Sequence, residues 1–330
     1  MPKRWVPFLG EFEESGDVLV FKGKTIEFQQ GDKVQKQALI GKCISDQSFS
    51  GGVIGADIKF AFAGPLVFTD PTSFRVAEII VYHDVKTGTM VTAGLGADFS
   101  LFAIRLWNAP SNQWLPALAK GGAASSLKPN TTYHVAVSLV GSTVKLNLDG
   151  VDVASATLPL QPVESQVGVF CIGSSDIQFS NFTVNAETPS AFVVMPFTPQ
   201  YNELYEEVIK DVCKNHGLRP HRADETYGPG VILADIVQRI NSSKVVIAEI
   251  TPNPPNPNVY YEVGYSHALG KPTILIADRE NTEKLPFDLS PFRVLYYENS
   301  IGGKKRVEAE LSRHLQSSIG GNGTVPPRQE

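Results

Sequence analysis

From about residue 17 to residue 184, apolar side chains recur at every second position and are interrupted at short intervals by Gly, Pro, Asn and Asp. A period of two belongs to strands with one buried face, so this half reads as all-β. Its clearest unit is Tyr133-His134-Val135-Ala136-Val137-Ser138-Leu139, then Val144-Lys145-Leu146-Asn147-Leu148, Asp149-Gly150, and Val151-Asp152-Val153-Ala154. Asp-Gly between alternating runs predicts a two-residue hairpin, because a type I′ turn needs positive φ at both central residues. Further strands are predicted over 52–62, 74–82, 102–107, 166–171 and 177–184, with no helical period among them. A series of this kind packs as two sheets, a jelly-roll sandwich. Within it Glu78 reads as an outward strand residue, and Trp107 and Trp114 read as core packing rather than as a stacking platform for a sugar or base.

After Ala186-Glu187-Thr188-Pro189-Ser190 the period changes. Ala191-Phe192-Val193-Val194-Met195 is continuously apolar, as a strand buried on both faces requires. A helix over 201–215 carries Leu204, Val208, Ile209, Val212 and Cys213 on one stripe. Strands near 218–222, 245–250, 273–277 and 293–297 then alternate with helices over 231–240, from Asn256, and over 304–315. Alternating βα units predict a parallel sheet with right-handed crossovers. The chain is therefore expected to hold two domains, a sandwich over 1–187 and a flavodoxin-like α/β domain over 191–316, with a disordered polar tail over 317–330.

The helix from Asn256 has punctuation at both ends. Asn256 can N-cap it, Pro257 suits its first position, and Gly270 supplies a left-handed stop before Lys271-Pro272 opens a strand. Gly264 and Ala268 lie four apart and are expected to form the small face that approaches the sheet. Glu262 then falls on another face, directed along the sheet's carboxyl edge. His267 points elsewhere and is expected to be structural or exposed.

Composition narrows the function classes. The 330 residues are 42% apolar and 19% charged with a net charge of −5, which gives no basic field for a nucleic-acid polymer. Three scattered cysteines with no Cys-x-x-Cys pair or His/Cys cluster predict neither zinc nor a disulfide framework, and suggest a reducing, cytoplasmic setting. No apolar signal core follows Met1, and no run approaches the ~18 apolar residues of a membrane span, so no membrane partner is expected.

In open parallel sheets ligands bind beyond the carboxyl ends of the strands. Met195, Pro196 and Phe197 follow the first strand, where backbone donors could meet phosphate or ribose oxygens. Arg222 and Asp224 follow the second, as a cation for phosphate beside an acceptor for hydroxyls, or as a local salt bridge. Glu249 ends the third and leads to Asn256, Asn258, Tyr261 and Glu262, the two asparagines being caps or ligand contacts. Pro286-Phe287-Asp288-Leu289 is a lid or a loop. Gly228-Pro229-Gly230 lacks the Lys-Ser/Thr of a phosphate loop and reads as a turn.

Two resemblances follow. Asn130 to Val137, the Asp149-Gly150 hairpin and the closing Gly168-Val169-Phe170 with Ile177 to Phe182 resemble a concanavalin-type, laminin G-like sandwich. Many of its relatives bind or cleave glycans, yet no carboxylate pair on one strand face would supply an acid and a nucleophile. Val193-Val194-Met195-Pro196-Phe197, Arg222-Ala223-Asp224, Val246 to Thr251 and Asn256 to Tyr265, in that order, resemble the TIR-like and nucleoside 2-deoxyribosyltransferase-like superfamily. That resemblance implies that Glu262 attacks or stabilises an anomeric carbon while a C–N glycosidic bond breaks. Members of the superfamily transfer deoxyribose, hydrolyse nucleotides, or cleave NAD in bacterial defence against phage. Glu249 departs from the Asp common at its position, and a large amino-terminal sandwich departs from the transferases. A cationic nicotinamide leaves as a neutral base without an acid, whereas a neutral nucleoside needs its base protonated. The reading expected from the sequence is thus an NAD(P)-hydrolysing N-glycosidase in anti-phage defence, with NAD as substrate rather than cofactor. The sandwich would bind a trigger ligand or phage protein, and homo-oligomers would form. The alternatives are a non-catalytic nucleotide sensor or scaffold, a nucleoside or nucleotide deoxyribosyltransferase or hydrolase, and a glycan-processing sandwich.

Overall fold

A computed structural model describes residues 4–30, 33–61, 70–160, 162–225 and 232–319. The chain divides into two compact units between Glu187 and Thr188.

The first unit is a sandwich of two antiparallel sheets. One runs Val151–Thr157, Thr143–Leu148, Thr132–Val140, Gly52–Phe60, Ile177–Ala186, Val18–Phe21, Phe12–Ser15. The other runs Trp5–Leu9, Lys33–Phe49, Ser165–Gly173, Val76–His83, Met90–Leu95, Phe102–Asn108, Gln113–Trp114, with Thr25–Gln30 and Ala119–Gly121 as side branches. Alternation puts Ile54, Ile58, Val135, Val137, Ile79 and Val169 into the core between the sheets. Asp149 and Gly150 have φ of 50° and 86°, the two positive values the predicted hairpin turn requires. The strands outside the predicted set include Trp5–Leu9, which has a register shift between Pro7 and Leu9, Phe12–Ser15, Val18–Phe21, Thr25–Gln30, the 17-residue Lys33–Phe49 and Met90–Leu95. Phe62 lies outside the described residues.

The second face of the larger sheet is also buried. Ile44, Ile80, Ala103 and Phe170 form an apolar patch there, with Trp107 and Trp114 packed against it. Glu78 is 0% exposed on this face, which corrects its reading as an outward residue. Its carboxylate accepts from Arg105 Nε at 2.9 Å and from Nη2, and the guanidinium lies 3.8 Å from the Trp114 ring centre. Trp114 meets Trp107 and Phe170 edge-on at 5.4 and 5.3 Å, so both tryptophans are used in packing.

The second unit is a parallel sheet in the order Arg219–Arg222, Ser190–Val194, Val245–Glu249, Thr273–Asp278, Val294–Tyr297. In chain order this is 2-1-3-4-5, a doubly wound sheet whose direction of winding reverses between the first and third strands. One face is covered by Pro199–Leu204, a π-helical turn over Tyr205–Ile209, Lys210–Asn215 and the final helix Ile301–Ile319. The other is covered by Ile232–Ser242 and Pro257–Ala268. The final helix extends past both predicted ends, so residues 317–319 are helical rather than tail. Val231, the Gly228-Pro229-Gly230 turn and the rest of the tail lie outside the described residues.

Candidate functional site

Asn256 caps the helix Pro257–Ala268 as expected, its side chain accepting from Asn258 N at 3.1 Å, and Gly270 follows at φ 65°. The sheet-facing stripe, however, is Val259, Val263 and Ser266. Gly264 and Ala268 are exposed, which corrects the expected small-residue contact: 3.6 residues per turn put them on the far side from Val259 and Val263.

Glu262 is half-buried on one flank of this helix. One turn on, Tyr265 accepts a hydrogen bond from Asn241 of the Ile232–Ser242 helix at 3.3 Å. The opposite flank carries His267, stacked on Phe292 at 4.3 Å between ring centres. Glu262 therefore faces the helix that covers the first strand, above the point where strand order reverses. Burial pushes its carboxyl up to about 7. Among the described residues no ion pair or hydrogen bond holds the carboxylate.

Glu249 occupies the other face of the sheet. It is 2% exposed and accepts from Tyr297 OH at 3.1 Å, Thr251 Oγ1, and Thr251 N at 3.3 Å. Burial, aided by Asp278 and opposed by these donors, pushes its carboxyl up to about 7. Thr251 Oγ1 also accepts from Asp278 N at 2.9 Å, tying together the ends of adjacent strands. Tyr201 is pushed up to about 12 by burial and by Glu249, and Tyr297 is raised by the same causes. The Tyr260 hydroxyl is buried without a partner among the described residues, and burial with Glu249 raises it too. Sequence reasoning named Glu249 but missed this set; Tyr297 is 48 residues away and nothing local in the chain announces it.

Arg222 is 7% exposed and heavily engaged. It donates to Asp224 through Nε at 2.6 Å and through Nη2, and to Asn202 Oδ1 at 2.8 Å, with its guanidinium 4.7 and 5.3 Å from the Tyr205 and Phe197 ring centres. The local salt bridge is thus the observed arrangement. Met195 is 4% exposed within the core, Pro196 is half-buried, and Phe197 and Tyr261 are 56% and 55% exposed. Phe287 is 87% exposed while Leu289 is buried in the core. The structure thus assembles Arg222, Asp224 and Phe197 in one group and Glu249 with its tyrosines in another, with Glu262 on the opposite face from Glu249. No group of three or more His, Cys, Asp or Glu suited to a metal ion occurs among the described residues.

Lys271 is a buried cation whose partners lie about 30 residues earlier in the chain. It is 4% exposed and donates to Asn241 O at 2.6 Å and Ser243 O at 2.9 Å, closing the carboxyl end of the Ile232–Ser242 helix. Burial pushes its amine down to about 8.

No helix among the described residues is long and apolar enough to cross a membrane. No family model and no curated protein matches the chain. Solved structures do match. A carbohydrate-binding module from Bacillus subtilis is 14% identical, with a TM-score of 0.41, over 54% of this chain and 93% of that one. A lichenase derived from a mouse hindgut metagenome is 9% identical, with a TM-score of 0.37, over 53% and 90%. A β-glucanase from Bacillus licheniformis is 12% identical, with a TM-score of 0.35, over 55% and 92%.

Proposed function

We propose that the second unit is a TIR-like N-glycosidase that hydrolyses a nucleotide with a cationic base, NAD(P) before others, and that the sandwich is its trigger-binding or assembly module in anti-phage defence. The observation that carries this reading is Glu262: a half-buried carboxyl, raised by burial, with no cation or donor among the described residues to satisfy it. A charge left uncompensated in this way is costly in a resting protein and useful when a substrate brings the positive charge. As the C–N bond of a nicotinamide riboside lengthens, positive charge moves from the ring to the anomeric carbon. Nicotinamide leaves neutral, the Glu262 carboxylate stabilises the oxocarbenium-like centre, and water adds there with release of one proton. Because the carboxylate form acts, turnover is expected to rise with pH through about 7.

A second reading draws on Glu249. A buried carboxyl raised to about 7 keeps a substantial protonated fraction at neutral pH, and the departure of a neutral purine or pyrimidine requires an acid of that kind. It favours a nucleoside hydrolase or deoxyribosyltransferase.

Nicotinamide release from NAD by the full chain tests the first reading. Glu262→Gln is expected to lower the rate by about 10²-fold or more. An unchanged rate in that variant removes the mechanism, and release of free base from a deoxynucleoside without nicotinamide release selects the second reading.

A further inference from the structure

A cleft of about 290 Å³ opens at the end of the second unit opposite Glu262 and Glu249. Ser190, at the start of the first strand, Arg219, at the start of the edge strand, and Ser242, at the end of the Ile232–Ser242 helix, fix it at the amino edge of the sheet. Phe192 forms an apolar part of its wall. His221 comes from the edge strand, and Asp235, Gln238 and Arg239 from successive turns of the helix.

Its charge distribution is what distinguishes it. Asp235 and Arg239 are four apart on the helix, an arrangement that usually pairs. Yet neither they nor the exposed Arg219 form an ion pair or side-chain hydrogen bond among the described residues, whereas Arg222, at the other end of the same edge strand, is bound on three nitrogens. Two guanidiniums from different elements thus line one concavity with their donor forks unused, beside a carboxylate that is also unused. A guanidinium pair matches the oxygens of a phosphate monoester, and a nearby carboxylate matches hydroxyl donors on the same molecule. The volume lies at the small end of ligand sites, the size of a sugar phosphate rather than a dinucleotide.

We infer that this cleft binds a small phosphate monoester carrying hydroxyl groups, with Arg219 and Arg239 on the phosphate and Asp235 on the hydroxyls. The site is independent of the N-glycosidase reading, since it shares no residue with the carboxyl edge. A ligand held here bridges the edge strand and the helix whose carboxyl end, beside the cleft, is closed by Lys271, so occupancy stabilises the unit.

Isothermal titration of the full chain with ribose 5-phosphate and with inorganic phosphate tests the inference. Saturable binding of ribose 5-phosphate is expected, about tenfold or more weaker in the Arg219→Ala, Arg239→Ala double variant. These side chains form no ion pair or side-chain hydrogen bond among the described residues, and an unchanged circular dichroism melt confirms a folded variant. Asp235→Asn is expected to weaken ribose 5-phosphate and leave inorganic phosphate unweakened. No saturable binding by the wild type, or equal affinity in the arginine double variant, overturns the site. Equal affinity of the two ligands in the wild type overturns the role given to Asp235.

Discussion

Glu78 in the sandwich and Glu262 in the α/β unit are both withdrawn from water, and the protein treats them in opposite ways. Glu78 lies between Arg105 Nε and Nη2, with the guanidinium stacked on Trp114, so every charge in its surroundings has been compensated. Glu262 meets neither a cation nor a donor among the described residues. A paired carboxylate is an architectural element whose removal costs stability; an unpaired one costs stability while it is present, and is retained for chemistry. Glu249 is intermediate: it has hydrogen-bond donors but, among the described residues, no cation.

The largest effect expected from this contrast is at Arg105. Arg105→Ala leaves Glu78 charged and buried, and is expected to cost about 3–5 kcal/mol. All three tryptophans, Trp5, Trp107 and Trp114, lie in the sandwich, so urea unfolding followed by tryptophan fluorescence reads that unit alone. Loss below about 1 kcal/mol would show that water already reaches the pair.

Lys271→Met comes next. It leaves the Asn241 and Ser243 carbonyls without their charged donor and is expected to cost about 2 kcal/mol, read as an earlier loss of helical circular dichroism. The described helices longer than one turn belong to the second unit, so the signal is specific to it. At Glu249, Gln keeps an acceptor for Thr251 and Tyr297 while Ala does not; the Ala variant is expected to be less stable than the Gln variant by about 1–2 kcal/mol in the same assay.

Glu262→Gln has the smallest effect on stability and the opposite sign. The carboxyl titrates at about 7 in the folded chain against an ordinary 4.5. Below pH 4.5 both states hold the proton and the residue is neutral to stability. Between 4.5 and 7 the unfolded chain releases its proton first, so stability falls as pH rises, and above 7 the whole cost is present. The Gln variant should therefore match wild type at pH 4 and exceed it above pH 7 by about 1 kcal/mol, the full shift being discounted for partial exposure. Thermal melts at both pH values check it.

What the sequence made legible was local. Asp149-Gly150 and the Asn256-Pro257 cap carry their conformations in the residues themselves, and continuous apolar runs alternating with 3.6-period stripes announced the parallel sheet. What it did not reveal depends on partners distant in the chain. Arg105 is 27 residues from Glu78, and Lys271 caps a helix about 30 residues earlier, so neither partner could be found by spacing. Gly264 and Ala268 misled because small size permits close approach without requiring it; Val259 and Val263 held the apolar face instead. Glu262 was legible as a candidate from its capped helix, but its lack of a partner is a property of three dimensions only.

The account rests most heavily on that unpaired state, and carboxyl NMR measures it. A titration of carboxyl-labelled glutamate, with the Glu262 resonance assigned by its loss in Glu262→Gln, should show a midpoint near 7. A midpoint at the ordinary glutamate value near 4.5 would mean that water or an unseen cation already compensates the charge, and would contradict the assignment of Glu262 as a carboxylate held in reserve for a cationic substrate.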